Sequence, residues 1–131
     1  MSFNHSVSDL VASLRNGYLS KKDCITVPYS KMRENILSIL KEEGFILGYS
    51  KVSNKPFDYF NISLCYKNNR SSLNQIEVVS KPGRRVYSSY QSLPAVKNGL
   101  GMIILSSSKG LMADYQARLM KVGGEVLMKI F

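Results

Sequence analysis

Between residues 104 and 112 an apolar run passes without a break into hydroxyls, a lysine and a glycine: Ile104, Leu105, Ser106, Ser107, Ser108, Lys109, Gly110, Leu111, Met112. Val122, Gly123, Gly124, Glu125 and Val126 follow. No other feature constrains the fold as much. The apolar residues have to be buried as a strand, whereas the hydroxyl-and-glycine stretch has to turn at the surface. Such a surface suits a polyanion. Hydroxyls can bond ribose 2′-OH groups and phosphate oxygens, lysine adds a compact positive charge, and glycine lets the backbone come close. The same residues would also serve an ordinary strand-to-turn-to-helix junction, with Ser and Gly supplying caps and a bend.

Charge favours the first alternative. The 131 residues carry a formal charge of +9 with 44% apolar residues, enough for a core in one domain or two very small ones. Residues 1–66 hold 8 Lys/Arg against 6 Asp/Glu, and residues 67–131 hold 10 against 3, so net charges of +2 and +7 fall on the two halves. A basic second half points to nucleic acid or an anionic membrane. An 18-residue apolar run or a broad-faced basic amphipathic helix is missing, so no membrane partner is expected. The polar start without an apolar core predicts no signal peptide.

Helical spacing of Val7, Leu10, Val11 and Leu14 predicts a first helix that stops at Asn16 and Gly17. Val27 and Pro28 end a short extended segment, and Ser30 can cap a second helix over 31–43, with Met32, Ile36, Leu37, Ile39 and Leu40 inward and Gly44 as its left-handed terminator. Alternation predicts strands over 45–50 and 57–66, with Phe60, Ile62, Leu64 and Tyr66 on one face. The polar window 67–75 separates a domain over 1–68 from one over 75–131. The second contains a strand over 76–79, a turn at Lys81, Pro82, Gly83 and Arg84, and a strand through Tyr87. A short helix from Pro94 to Asn98 and Gly99, an apolar strand over 102–105, a helix over 113–121 and a final strand over 125–131 complete the pattern. This predicts an α+β fold of two small α/β subdomains with mixed sheets.

Chemistry of the catalytic kind has little to work with. His5 is the single histidine and lies near the terminus, so no Ser-His or Cys-His arrangement is expected. Ser108 and Lys109 are adjacent on a turn and would rarely face each other. Gly99, Leu100 and Gly101 lack a third glycine and precede a strand, and Lys109-Gly110 lacks the upstream glycine of a phosphate loop. Cys24 and Cys65 have too few companions for a zinc site, and are expected as buried or half-buried free thiols. No enzyme activity, cofactor, metal or small-molecule substrate is expected. Eight tyrosines offer stacking surfaces, although Tyr59, Tyr66 and Tyr87 also suit cross-strand packing.

The hydroxyl-glycine segments, together with Ser80, Lys81, Pro82, Gly83, Arg84, Arg85, Val86 and Tyr87 and with Asn98 to Gly101, resemble the family of the eighth protein of the small ribosomal subunit. The N-terminal half adds Asp9-Leu10, Leu14-Arg15-Asn16, Val27 to Lys31 and Leu40 to Ile46. Only about residues 51–75 carry little of the likeness. The resemblance implies direct binding to the central domain of small-subunit rRNA early in assembly, mainly through the C-terminal domain. The matching positions are Ser106, Ser107, Ser108, Lys109 and Gly110, then Gly123, Gly124 and Glu125, with Lys81, Pro82, Gly83, Arg84, Arg85 and Tyr87 at a basic turn. Arg15, Asn16, Ser30 and Lys31 are the N-terminal candidates, toward other rRNA elements and neighbouring ribosomal proteins.

Departures from the family pattern are His5-Ser6, Ser13, Ser107 and Ala113. The last removes an N-cap hydroxyl of about 1 kcal/mol unless Asp114 substitutes. These, with Lys over Arg at 12 to 6 and many Asn, Ile and Tyr, suggest an A+T-rich genome and a ribosome of the mitochondrial matrix over one of bacterial cytoplasm. A repressor that recognises an mRNA mimicking the rRNA site is the alternative function.

Overall fold

The computed structural model describes residues 3–93 and 101–131, with side chains from Val7 onward. It divides into two compact units, Met1–Asn74 and Gln75–Phe131. The short helix expected from Pro94 to Gly99 lies outside the described residues.

Helix α1 (Phe3–Leu19) buries Val7, Leu10, Val11 and Leu14, the stripe their spacing predicts. It does not stop at Asn16 and Gly17. Tyr18 is 6% exposed; its hydroxyl donates to the Phe45 carbonyl at 2.5 Å and accepts the Cys65 N–H at 3.1 Å, so tertiary partners carry the helix a further turn. The end is a Schellman motif: Lys22 N–H bonds the Gly17 carbonyl and Lys21 N–H the Tyr18 carbonyl, with Lys21 at φ 53°. After β1 (Cys24–Pro28), Ser30 caps α2 (Lys31–Glu42) by accepting the Arg33 N–H at 3.1 Å. Gly44, at φ 81°, ends α2 as its position predicts.

Strands β2 (Ile46–Asn54) and β3 (Phe57–Leu64) form a hairpin closed by Lys55 and a cis Pro56. The sheet order is β1-β3-β2, with Phe60, Ile62 and Leu64 buried on the helix-covered face. Within the polar window 67–75, β4 (Tyr66–Lys67) pairs β5 (Arg70–Ser71) across Asn68 and Asn69, both at positive φ, which asparagine tolerates.

In the second unit, β6 (Ile76–Val78), β7 (Tyr87–Ser88), β8 (Met102–Ser107), β9 (Gly110–Ala113), α3 (Asp114–Met120) and β10 (Gly124–Ile130) follow in chain order. The sheet order is β6-β10-β8-β9, and β7 also pairs β10. Ile103, Leu105, Met112 and Val126 pack with Ala117 of α3 and with Leu93. Val126, Leu127 and Met128 are consecutive and buried because a bulge interrupts the β10–β8 register between Val126 and Met128.

The α+β class is as the sequence predicts, but the sheets are not mixed. Every strand pairing among the described residues is antiparallel. In the first unit β3 lies between β1 and β2, so the crossover through α2 brings no parallel strands side by side. Cys24 is also a correction: it is exposed, because β1 is an edge strand and Cys24 opens it; Cys65 is half-buried. No described helix is long and apolar enough to cross a membrane.

Burial raises the Tyr18 phenol above its ordinary value of 10.0, with the Cys65 N–H bond acting the other way. A raised folded-state value means that the unfolded chain ionises first as pH climbs. The Tyr18 contribution to stability is therefore present in full well below pH 10.0 and is lost as pH rises through the folded-state value. Denaturant titrations at increasing alkaline pH should show this loss. Tyr18→Phe, which costs stability at neutral pH, should flatten it; an unchanged slope in that variant would remove Tyr18 from the explanation.

Candidate nucleic-acid interface

Strands β8 and β9 pair from Ile104↔Ala113 to Ser107↔Gly110, so Ser108 and Lys109 form the turn between them. The Ser107 hydroxyl donates to the Gly110 carbonyl at 2.9 Å and accepts the Lys109 N–H at 3.1 Å. Ser107 therefore shapes the tip from within. Gly110 sits at φ 106°, a backbone conformation that costs a side-chain-bearing residue about 1–2 kcal/mol. What the tip presents outward is Ser108 and Lys109, both exposed, with Ser106 half-buried beside them.

Strand β10 crosses behind this tip. Gly124 lies between Ser88 and Ser107, and Glu125 between Tyr87 and Ser106. A Cβ on Gly124 would collide with the Ser106 carbonyl, and one on Gly123 would come within 2.5 Å of the Ser88 carbonyl. Both glycines are thus required by the protein's own sheet. Successive residues of a strand alternate between faces, so Tyr87, Glu125 and Ser106 line one face of this sheet end, and Ser88, Gly124 and Ser107 the other.

Strands β6 and β7 lie one after the other along a single edge of β10, Val78 opposite Met128 and Ser88 opposite Gly124. Between them the chain leaves the edge. Val79 N–H still bonds the Leu127 carbonyl and Val126 N–H the Val86 carbonyl, so the excursion begins and ends on adjacent positions of β10. Lys81 and Arg84 exchange two backbone hydrogen bonds at 3.0 and 2.9 Å around Pro82 and Gly83. Ser80, 1% exposed, locks the base: its hydroxyl accepts the Val86 N–H at 3.0 Å and donates to the Val86 carbonyl at 3.3 Å. Lys81, Arg84 and Arg85 are exposed on the excursion, and Tyr87, just beyond it, is 70% exposed.

Glu125 raises the question of a carboxylate among these cations. Its Oε2 lies 3.3 Å from Arg85 Nη1, with the Glu125 side chain 12% exposed. At a half-exposed site the pair contributes about 0–1 kcal/mol, so its consequence is geometric: it ties the basic excursion to the centre of the sheet. Helix α3 begins at Ala113 without a side-chain cap. The Gln116 carbonyl oxygen accepts the Ala113 N–H at 3.1 Å and the Asp114 carboxylate accepts the Tyr115 N–H at 3.0 Å, so Asp114 substitutes for part of the missing cap.

The first unit's candidates are otherwise placed. Ser30 is the α2 cap, and Lys31 pairs Glu34 at 3.2 Å. Arg15 and Asn16 are exposed on α1. Sequence reasoning missed the functions of Ser80 and Ser107 as loop clamps; the turn residues beside them were the available signal. No group of three or more His, Cys, Asp or Glu among the described residues is arranged to hold a metal.

The family model described as Ribosomal protein S8 matches residues 5–131. Curated relatives called "Small ribosomal subunit protein uS8" include those of Nitrobacter hamburgensis, 45% identical, and of Rhodopseudomonas palustris and Bradyrhizobium sp., each 46% identical. Each alignment spans 132 residues and the full length of both chains. These organisms are bacteria, so the mitochondrial preference drawn from composition finds no support in them.

The close approach at Gly124 makes a sharp prediction. Gly124→Ala should lower the denaturant-derived stability of the second unit by about 1–3 kcal/mol or more, through overpacking against backbone. Gly83→Ala, where a Cβ meets nothing within 4 Å, should change stability little. Equal effects would show that the glycine pair is not what lets β10 in.

Proposed function

The chain belongs to the ribosomal protein S8 family, structural constituents of the small ribosomal subunit, and on that premise we propose that it binds the central domain of small-subunit rRNA directly and helps it assemble. The contact is made by the second unit. The single observation that carries this reading is the end of its sheet, where Ser106, Ser108, Lys109, Tyr87 and Arg85 are gathered by the pairing of β7, β8, β9 and β10.

Physical chemistry supports the assignment. A-form RNA hides its major groove and displays 2′-hydroxyls in a wide, shallow minor groove, so a narrow tip carrying hydroxyls can lie against it. Ser107 and Gly110 fix the tip's shape before binding, which reduces the ordering that binding would otherwise require. Lys81, Arg84 and Lys109 supply affinity through counterion release. Tyr87, mostly exposed, offers a ring for stacking. Neighbouring small-subunit proteins would complete the environment of the first unit.

Binding to a central-domain rRNA fragment, measured across a salt series, tests the assignment. Lys81→Gln, Arg84→Gln and Lys109→Gln should each weaken binding and reduce the salt slope by about one. Ser108→Leu should weaken it by roughly tenfold, about 1.4 kcal/mol, with little change in slope. Lys55→Gln, in the β2–β3 turn, should do neither. Comparable losses in all variants would discredit docking through the second unit. Sedimentation with small subunits in extract, expected here, would fail for a repressor that acts only on mRNA.

A further inference from the structure

Residues 80–85 are looped out of the edge that β6 and β7 form along β10. The Val79 N–H bonds the Leu127 carbonyl and the Val126 N–H bonds the Val86 carbonyl, so adjacent positions of β10 hold the two ends of the loop. Val79 and Val86 also pack against the core around Ile103, Leu105 and Val126. Between them Lys81, Pro82, Gly83, Arg84 and Arg85 are all exposed. Exposed residues have no packing to restrict them, and the like charges of Lys81, Arg84 and Arg85 repel, so this stretch has every reason to be loose.

Ser80 is the exception. At 1% exposure its hydroxyl spans the neck of the loop, accepting the Val86 N–H at 3.0 Å and donating to the Val86 carbonyl at 3.3 Å. A serine hydroxyl is both donor and acceptor on a short stem, so one side chain serves both backbone groups of Val86. The Val86 carbonyl also takes the Val126 N–H at 2.8 Å, which ties the clamp directly to β10. The other constraints on the loop are weaker. The Lys81–Arg84 turn closes only on itself, and the Arg85–Glu125 pair is half exposed, where an incoming phosphate would compete for the guanidinium. Only the buried clamp survives the arrival of a polyanion unchanged.

We propose that Ser80 is a positioning residue for RNA binding: buried beyond the reach of any ligand, it holds Lys81, Arg84 and Arg85 in one arrangement before the strand arrives. The proposal rests on the rRNA-binding reading above. Cations on a fixed loop bind more tightly than the same cations on a loose one, because a loose loop has to be ordered in the complex. Counterion release, by contrast, depends on how many phosphates are neutralised and not on how rigidly the cations were held beforehand. Loss of the clamp therefore lowers affinity while the salt slope stays. That signature separates Ser80 from the cations it positions.

The test is a mutant cycle on the full chain, read by binding to the central-domain rRNA fragment across a salt series and by denaturant titration. Ser80→Ala should weaken binding roughly tenfold with little change in salt slope, whereas Lys81→Gln reduces the slope by about one. In a background carrying both Lys81→Gln and Arg84→Gln, Ser80→Ala should cost at most about twofold more in affinity, yet lower the denaturant midpoint as much as it does alone. A measurement on the wild-type chain needs no variant to fold: before RNA is added, the Val86 amide should be protected from hydrogen exchange to the same degree as that of Val126. Exchange of Val86 at the rate of unstructured chain overturns the proposal, and so does a folded Ser80→Ala chain that binds as wild type. An undiminished tenfold loss in the doubly neutralised background also overturns it, by showing that Ser80 acts through stability alone. In each of these cases losses at Lys81→Gln and Arg84→Gln leave the proposed function standing. Binding that none of these variants alters overturns both.

Discussion

The passage of β10 between β7 and β8 at Gly123 and Gly124 is the contact on which the second unit depends. Backbone approaches backbone there with no room for a Cβ, so the pairs Ser88↔Gly124↔Ser107 and Tyr87↔Glu125↔Ser106 can form. From those pairs follow the position of the β8–β9 tip, the edge from which the Lys81–Arg84 excursion departs, and the reach of Arg85 to Glu125. In the proposed binding the glycines would therefore act at one remove. They hold the strands that carry the hydroxyls and cations, and the groups that face outward are Ser108, Lys109, Lys81 and Arg84.

The two units solve different problems with similar means. In the first, α1 and α2 cover one face of an antiparallel sheet, and in the second α3 packs against one; what meets the solvent is decided at a sheet edge. In the second unit the edge of β10 is broken by a basic excursion clamped by Ser80. In the first, β1 is itself an edge strand, with Cys24 and Thr26 exposed on it.

Much of this was legible in the sequence, for reasons that specific residues show. Gly44 marked the end of α2 because glycine reaches positive φ without a Cβ penalty. Helices α1 and α3 end in the same motif, but on Lys21 and Lys121, which carry no such signature; α1 was consequently expected to end too early. Alternation exposed the core face of β3, and the excess of Lys and Arg after residue 66 marked the unit that carries the exposed basic excursion. Ser107 read as a group offered outward, whereas its hydroxyl lies inside the turn, because composition does not say which partner a hydroxyl finds. Antiparallel pairing in the first unit and the interrupted β6–β7 edge are long-range facts of topology. No local pattern records them.

The most direct test is a backbone-amide NMR titration of the full chain with the central-domain rRNA fragment. The account predicts that the largest changes fall on Ser106, Ser108, Lys109 and Gly110 and on Lys81 to Arg85, with small ones across β2 and β3. Large changes confined to the first unit, with the β8–β9 tip and the basic excursion unmoved at saturation, would contradict it.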